Sequence, residues 1–237
     1  MKLLIKFPTR GRPVWFIKTL DKYLRMLSGK HEVEFMIAMD TDDETMRNDV
    51  MADYLGYLSE VQPSYVKITW YWKEHKGKVD AVNSCISNRE FDIVLVISED
   101  IEPQEHGYDD IIVQDMLSVF PNLDGITYYN DSRNAIPHRR NRDRIAITIP
   151  ILGKSIYTKL GFIVHPDFLS WGDNYSTLLY TEAGGVKYFP KILLKHMWRR
   201  YGVDDVYKRA AAHRTIDFRT YQRLRRALKN STQESNT

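Results

Sequence analysis

The chain of 237 residues contains a single cysteine, Cys85. One cysteine excludes an internal disulfide and any zinc site built from several cysteines. Because a free cysteine is among the side chains most often buried, we expect Cys85 to be a buried thiol on a helix. Apolar runs are also short, since none approaches the roughly 20 residues that span a bilayer. The first residues do not have the pattern of a signal peptide, so we expect none. These absences predict a soluble, cytoplasmic protein.

The two common glycine fingerprints of nucleotide sites, the Walker loop and GxGxxG, are absent as well. The hydrophobic fraction of 43% and the charged fraction of 27% are those of an ordinary globular protein. The length fits one large domain, or one domain with an extension. The net charge of +3 is modest, and we expect no nucleic-acid partner.

Strands and helices alternate through the first half of the chain. Apolar runs, β-branched residues and period-2 patterns predict strands, and 3.6-residue spacing predicts helices. The predicted strands are 2–7, 32–39, 65–72, 91–97 and 125–129, and the predicted helices are 13–27, 44–58, 78–87 and 108–119. This order predicts an α/β fold with a Rossmann-like, mostly parallel sheet flanked by helices and joined by right-handed crossovers.

The second half is less regular. We expect further strands at 145–152, 186–189 and 192–194, and helices at 154–160, 173–183 and 203–228. The predicted division is a main domain over residues 1–200, a basic C-terminal helix over 201–229 and a disordered tail over 230–237.

Acidic side chains end two of the predicted strands. Asp40 follows the apolar run 33–39, and Glu99 and Asp100 follow the run 91–97. Because ligands of open α/β sheets bind beyond the carboxyl ends of the strands, these carboxylates are expected to meet at one crevice. There they repel each other unless a cation lies between them. A divalent metal carrying a phosphorylated ligand is the natural occupant.

The segment 7–13, Phe-Pro-Thr-Arg-Gly-Arg-Pro, follows the first strand directly. It offers backbone amides, the flexible Gly11 and the cations Arg10 and Arg12 where a helix begins. That combination suits a nucleotide or a phosphate. The alternative is a tight strand-to-helix turn with solvated arginines.

Another helix start carries Lys76 and Lys78, with Asn83 five residues after Lys78. Two cations and an amide at a helix N-terminus also suit a pyrophosphate, and the alternative is an exposed polar cap. Asp42 and Asp43 precede the helix predicted from residue 44, and we expect them to cap it.

The order of these motifs resembles that of the GT-A glycosyltransferases. The motifs are Pro-Thr-Arg-Gly-Arg-Pro at 8–13, Asp40 after the second strand, Gly-Lys-x-x-Ala-x-Asn at 77–83 and Ser-Glu-Asp at 98–100. The resemblance is closest to the large family-2-like group of nucleotide-sugar transferases and covers about residues 2–198. Ser-Glu-Asp is a variant of that fold's Asp-x-Asp motif, which leaves the usual contacts of the first carboxylate open.

The resemblance implies roles for six residues around a UDP- or GDP-sugar donor. Pro8, Thr9 and Arg10 would line the nucleoside pocket, Asp40 would contact the nucleobase, Lys78 would lie near the diphosphate or ribose, and Glu99 would face the ribose or sugar. The acceptor would be a glycan, a lipid-linked molecule or a protein.

The resemblance also implies a metal site and a general base. Asp100, the last residue of its motif, would bind Mn²⁺ or Mg²⁺, and His196 would be a further ligand; the alternative is a structural histidine. Asp173 heads a predicted helix behind Trp171, where an inverting transferase needs a base for the acceptor hydroxyl. Asp173 could equally be an N-cap, and the two roles are compatible.

Two basic segments remain. Eight lysines and arginines fall between residues 208 and 229, where only Asp217 opposes them. They predict either peripheral contact with a membrane or a solvated helix face. Five arginines between residues 133 and 144 predict either a lid over a diphosphate or a solvated loop.

The leading hypothesis is therefore a metal-dependent, inverting glycosyltransferase. Its alternatives are a sugar-phosphate nucleotidyltransferase, whose glycine-rich opening is missing here, and a non-catalytic nucleotide- or carbohydrate-binding protein of the same fold. A phosphatase of the haloacid dehalogenase type fits poorly, because its nucleophilic aspartate belongs on the first strand and Asp40 follows the second. Metal-dependent binding of a nucleoside diphosphate separates the leading hypothesis from a scaffold.

Overall fold

A computed structural model describes residues 1–132, 147–170, 173–183, 185–197 and 202–234. The predicted arginine lid at 133–144 and Trp171 lie outside these residues.

The described residues form nine strands and eight helices. The strands are β1 (Lys2–Thr9), β2 (Glu32–Asp40), β3 (Val66–Lys73), β4 (Ile93–Val96), β5 (Ile101–Pro103), β6 (Ile126–Tyr129), β7 (Ile151–Gly153), β8 (Val186–Phe189) and β9 (Leu194–His196). The helices are α1 (Pro13–Arg25), α2 (Asp49–Val61), α3 (Lys78–Asn83), α4 (Tyr108–Val119), α5 (Lys154–Leu160), α6 (Asp173–Ala183), α7 (Asp205–Ala212) and α8 (Arg214–Glu234).

Seven of the strands form one sheet in the order β3-β2-β1-β4-β7-β6-β8. Strands β3, β2, β1 and β4 are parallel, β7 runs antiparallel to β4 and β6, and β8 is parallel to β6. Strands β5 and β9 form a separate antiparallel pair. The mostly parallel α/β sheet is confirmed.

The register of the sheet positions the candidate site. In the β1–β2 pair, Thr9 lies opposite Met39, so Arg10 and Asp40 leave the sheet side by side. Strand β4 is parallel to the other side of β1, which brings residues 98–100 to the same edge.

Buried side chains cover both faces of the sheet. On one face Ile5 and Phe7 pack with Phe16 and Leu20 of α1 in the larger core cluster. On the other face a second cluster forms around Leu4 and the residues of β6 and α5. Seven of the eight residues of β1 are buried, including Lys6, so both faces of this parallel strand are covered.

The prediction that Asp42 and Asp43 cap the second helix is wrong. Helix α2 begins at Asp49, and its N-cap is Asn48, which accepts a hydrogen bond from the Met51 amide. The two aspartates are held by the loop after β1 instead. Asp43 accepts a hydrogen bond of 2.7 Å from the Gly11 amide, a contact across the sheet edge that local sequence does not reveal.

The expectation for Cys85 is wrong as well. Helix α3 ends at Asn83 rather than at residue 87, so Cys85 follows the helix. It is exposed and has a φ of 62°, which is a turn conformation rather than a helical one.

The predicted C-terminal helix consists of α7 and α8, which meet at His213. Helix α8 continues to Glu234, into the stretch for which we predicted a disordered tail. No helix in the described part of the chain is long and apolar enough to cross a membrane.

Candidate functional site

A cavity of about 260 Å³ opens at the carboxyl edge of the parallel strands. Eight of the nine predicted site residues line it, namely Pro8, Thr9, Arg10, Asp40, Lys78, Glu99, Asp100 and His196. The ninth, Asp173, is the first residue of α6, and its side chain lies outside the described part of the structure. The structure therefore brings together, in one place, residues that are up to 188 positions apart.

Arg10 joins the ends of β1 and β2. Its Nη1 donates to Asp40 Oδ2 at 2.6 Å, and its Nη2 donates to Asp42 Oδ2 at 2.9 Å. The hydrogen bond from Arg10 lowers the pKa of Asp42 to about 2. The arginine is thus paired rather than solvated, which disfavours the simple-turn reading of this segment.

Asp40 has a second partner, His75, in the loop between β3 and α3. The imidazole Nδ1 lies 2.7 Å from Asp40 Oδ1. Burial alone would raise the pKa of Asp40, but the hydrogen bonds from His75 and Arg10 outweigh it and lower that pKa. Asp40 is therefore a fixed carboxylate in the cavity wall. Nothing in the local sequence marks His75 as a residue of this site.

Glu99 is the buried acid of the site, with 3% of its surface exposed. Burial raises its pKa to about 7, although the Thr9 hydroxyl donates to Oε1 and Arg12 lies 3.8 Å from Oε2. Near neutral pH the side chain therefore exists both as an acid and as a carboxylate, so it can accept or donate a hydrogen bond to a hydroxyl in the cavity.

Asp100 differs from Glu99 in that its pKa is lowered. Burial would raise its pKa, but hydrogen bonds from His196 and Ser98, together with the charge of Lys78, hold it well below the usual range. His196 Nε2 lies 3.3 Å from Asp100 Oδ2. An ionised carboxylate beside an imidazole is a suitable ligand pair for a first-row divalent metal.

His196 reaches the site because β9 pairs with β5. In that pair Ile101 lies opposite His196, and the Met197 amide donates to the Asp100 carbonyl at 2.6 Å. The His196 amide donates to the carbonyl of Asp131. The sequence predicts a strand at 192–194 but no strand at 101–103, so it gives no sign of this pairing.

Within the described residues, no group of three or more His, Cys, Asp or Glu side chains is arranged to hold a metal ion. Asp100 and His196 are a two-residue set. Mg²⁺ and similar cations are often held by one or two carboxylates together with substrate phosphates. The residues present therefore fit a cation that binds together with a diphosphate, and do not form a closed structural site.

Helix α7 forms the wall of the cavity opposite the sheet, where its Val206, Tyr207 and Arg209 line the space. Arg12 holds this wall in place, because its Nε and Nη2 donate to the two carboxylate oxygens of Asp204 at 2.7 and 3.0 Å. The C-terminal segment is therefore part of the site. The sequence gives no sign of this role, because the contact joins residues 192 positions apart.

Helix α8 supports the floor of the cavity. The buried Asp217 accepts hydrogen bonds from the amides of Leu169 and Ser170 at 2.8 and 2.9 Å. His213 Nδ1 lies 2.9 Å from Ser170 Oγ, and both residues line the cavity. Among the cations predicted for a membrane or a solvated face, Lys208, Arg209 and Arg223 form ion pairs with Asp side chains.

Asn83 has a structural role that differs from the expected pyrophosphate contact. Its side-chain oxygen accepts from the amides of Ile163 and Val164 at 2.9 and 3.2 Å, and its Nδ2 donates to the Val164 carbonyl at 2.6 Å. Asn83 thus anchors the loop before α6. Neither Asn83 nor Lys76 lines the cavity.

Gly77 lies where the start of α3 meets the cavity floor. A Cβ at this position would be 2.5 Å from the backbone oxygen of Leu169. Gly77→Ala is therefore expected to destabilise the protein by about 2 kcal/mol, because a backbone atom must move to relieve the overlap. Gly56→Ala is the matched control: its Cβ would meet nothing within 4 Å in α2, and alanine favours a helix, so a small stabilisation is expected. Chemical denaturation of both variants measures the difference, and equal stabilities would contradict the close approach at Gly77.

No protein-family description matches the chain, and no curated protein matches it. Solved structures do. One is the mannosyltransferase PcManGT from Pyrobaculum calidifontis in complex with GDP-Man and Mn²⁺, with a TM-score of 0.66 and 14% identity over 94% of this chain and 64% of that one. Another is S. aureus TarS 1–349, with a TM-score of 0.62 and 13% identity over 84% of this chain and 61% of that one. The chain has the GT-A fold.

This GT-A chain spans less than two thirds of the length of those two structures. TarS 1–349 has also been solved in complex with UDP and with UDP-GlcNAc. A weaker similarity, with a TM-score of 0.50 and 13% identity, is to CMP:2-keto-3-deoxy-manno-octonic acid synthetase complexed with CTP, over 81% of this chain and 90% of that one. At these identities the similarity establishes the fold, and function has to be argued from the site.

Proposed function

We propose that this protein is a metal-dependent glycosyltransferase that moves a sugar from a nucleotide-sugar donor to an acceptor hydroxyl. The proposal rests on one observation. A single cavity at the carboxyl edge of a GT-A sheet is lined by the ionised Asp100, by His196 and Lys78, and by Asp40, which a hydrogen bond with His75 holds in place. Cationic and carboxylate groups in that arrangement suit a nucleoside diphosphate whose charge is shared with a metal.

Each part of the donor has a complementary part of the cavity. Pro8, Thr9 and Arg10 would border the nucleoside, and Asp40 would accept a hydrogen bond from the base. Lys78, the first residue of α3, would contact the diphosphate or ribose. Glu99 would exchange a hydrogen bond with a hydroxyl of the ribose or sugar, for which its pKa near 7 is suited.

Asp100 and His196 would hold the metal, Mn²⁺ or Mg²⁺. When bound, the metal would stabilise the negative charge that develops on the departing nucleoside diphosphate. Arg12 and Lys78 would add fixed positive charge to the same region. The complex of PcManGT with GDP-Man and Mn²⁺ supports this choice of cofactor.

Asp173 is proposed as the general base that takes the proton of the acceptor hydroxyl, which makes the reaction inverting. It begins α6, three residues after Ser170, which lines the cavity. The acceptor is proposed to be a glycan, a lipid-linked molecule or a protein. Peripheral contact of the basic C-terminal helix with a cytoplasmic membrane surface is also proposed.

Metal-dependent nucleotide binding provides the first test. UDP and GDP, each with and without Mn²⁺, should raise the melting temperature by several degrees only when nucleotide and metal are present together, because a ligand that binds only the folded state stabilises it. Hydrolysis of a panel of UDP- and GDP-sugars, followed through release of the nucleoside diphosphate, should then identify the donor. A melting temperature unchanged by every combination would contradict a metal-dependent glycosyltransferase that uses a UDP- or GDP-sugar.

The similarity to the CTP-bound synthetase keeps one second candidate, a sugar-phosphate nucleotidyltransferase. The products separate the two reactions. A sugar-phosphate nucleotidyltransferase transfers the nucleotidyl group of a nucleoside triphosphate to a sugar phosphate and releases pyrophosphate, whereas a glycosyltransferase transfers the sugar to an acceptor and releases a nucleoside diphosphate. Detection of pyrophosphate with a panel of nucleoside triphosphates and sugar phosphates would favour the second candidate.

A further inference from the structure

Behind the cavity wall formed by Asp40 lies a histidine that does not itself reach the cavity. The side chain of His75 is 1% exposed, against 14% for Asp40, and Asp40 lines the cavity whereas His75 does not. Any effect of His75 on a bound ligand must therefore pass through Asp40.

The contact between Asp40 and His75 determines which of the two side chains carries the proton of their hydrogen bond. Hydrogen bonds lower the pKa of Asp40 despite its burial, so its carboxylate oxygens only accept. His75 Nδ1, 2.7 Å from Asp40 Oδ1, must then carry a proton and donate it. Arg10 donates to the other oxygen, Oδ2, at 2.6 Å. With both oxygens held by donors, the carboxylate cannot rotate.

His75 is itself held from behind by a chain of polar side chains. Its Nε2 lies 3.3 Å from Ser84 Oγ, which lies 2.7 Å from the Tyr71 hydroxyl. That hydroxyl accepts a hydrogen bond from Lys6 Nζ, which also donates to the Ser84 carbonyl at 2.8 Å. Lys6, Ser84 and His75 are buried and Tyr71 is half-buried. None of the four lines the cavity.

We propose that His75, braced by Ser84, Tyr71 and Lys6, is a positioning residue that fixes the Asp40 carboxylate for recognition of the donor nucleoside. The inference rests on the proposed function, because it takes Asp40 to face a nucleoside. A chain of buried hydrogen bonds that ends on one cavity carboxylate keeps that acceptor in place before the ligand arrives, which reduces the entropic cost of binding.

Two substitutions at position 75 separate positioning from packing. Asparagine places its side-chain NH₂ close to the position of imidazole Nδ1 and keeps the donor for Asp40. Phenylalanine keeps the ring volume and removes the donor. In the presence of Mn²⁺, His75→Phe should weaken the binding of UDP or GDP about tenfold, since hydrogen bonds to charged groups are among the stronger ones. His75→Asn should stay within about threefold of the natural protein.

Turnover of the donor identified in the panel above provides a second readout. Asp40 lies on the nucleoside side of the cavity, away from the proposed metal site at Asp100. His75→Phe is therefore expected to raise the donor KM by the same factor as the Kd and to change kcat little. A merely structural loss would instead lower the amount of active protein, and with it kcat, without changing KM.

Ser84→Ala provides a test that leaves His75 in place, should the phenylalanine variant not fold. It removes the brace on Nε2 and is expected to weaken nucleotide binding about threefold. Equal affinities of the natural protein and both His75→Phe and Ser84→Ala would overturn the inference, and so would equal losses in His75→Phe and His75→Asn. If the natural protein binds neither UDP nor GDP with Mn²⁺, the proposed function fails, and this inference fails with it.

Discussion

Asp100→Asn should reduce sugar transfer or donor hydrolysis at least about 100-fold, because it removes an ionised carboxylate that is proposed to bind the metal. The expected loss corresponds to about 3 kcal/mol of stabilisation of the departing diphosphate. Asparagine keeps an oxygen for the Ser98 hydroxyl, which donates to Asp100 Oδ1, so the local structure should persist. The stabilisation by nucleotide and Mn²⁺ together should disappear.

Asp21→Asn is the matched control for this variant. Asp21 is a half-exposed aspartate of α1 that pairs with Arg25 and does not line the cavity. Exposed ion pairs of this kind contribute little to stability, so activity and melting temperature should both remain close to those of the natural protein. Full activity of Asp100→Asn, measured beside this control, would remove the metal role from Asp100.

Lys6→Met should reveal how much free energy the fold loses by burying a charged amine. Lys6 is fully buried in β1, and burial lowers its pKa to about 7 from the model-peptide value of 10.5. Below pH 7 the amine is charged in both the folded and the unfolded chain, and the folded state bears the full cost of the buried charge. Between pH 7 and 10.5 the folded chain releases the proton that the unfolded chain keeps, so the stability contributed by Lys6 rises with pH.

The test compares the free energies of unfolding of the natural protein and of Lys6→Met. The difference between them, natural protein minus variant, should rise by about 4 kcal/mol between pH 7 and pH 10.5. Taking the difference cancels every titration that the two proteins share. Urea denaturation at several pH values measures it. Methionine has a similar length but leaves the Tyr71 hydroxyl and the Ser84 carbonyl without this donor, which adds a pH-independent loss. A difference that stays constant with pH would show that Lys6 remains charged in the folded state.

The sheet and the strand-end residues were predictable because their signals are local. The apolar runs before Asp40 and Asp100 predict parallel strands, and the strands of such a sheet present their carboxyl ends at one edge. Eight of the nine proposed site residues accordingly line one cavity. The ordered motifs then indicated the GT-A fold, which the similarity to PcManGT supports.

The rest of the site depends on contacts between distant parts of the chain. Arg12 and Asp204 are 192 positions apart, and no local pattern reveals that α7 closes the cavity. His75 lies in a loop with no motif of its own, and it is recognisable only through its contact with Asp40. The error at Asp42 and Asp43 has the same origin: an aspartate before a helix resembles a cap, yet Arg10 and the Gly11 amide hold these side chains.

A crystal structure of the natural protein grown with Mn²⁺ and UDP or GDP, with data collected at the manganese absorption edge, tests the central claim most directly. We expect an anomalous peak at bonding distance from an Asp100 carboxylate oxygen and from a phosphate oxygen of the nucleotide, with the base beside Asp40. A bound nucleotide whose diphosphate lies away from Asp100, with no manganese peak at that side chain, would contradict the proposed site.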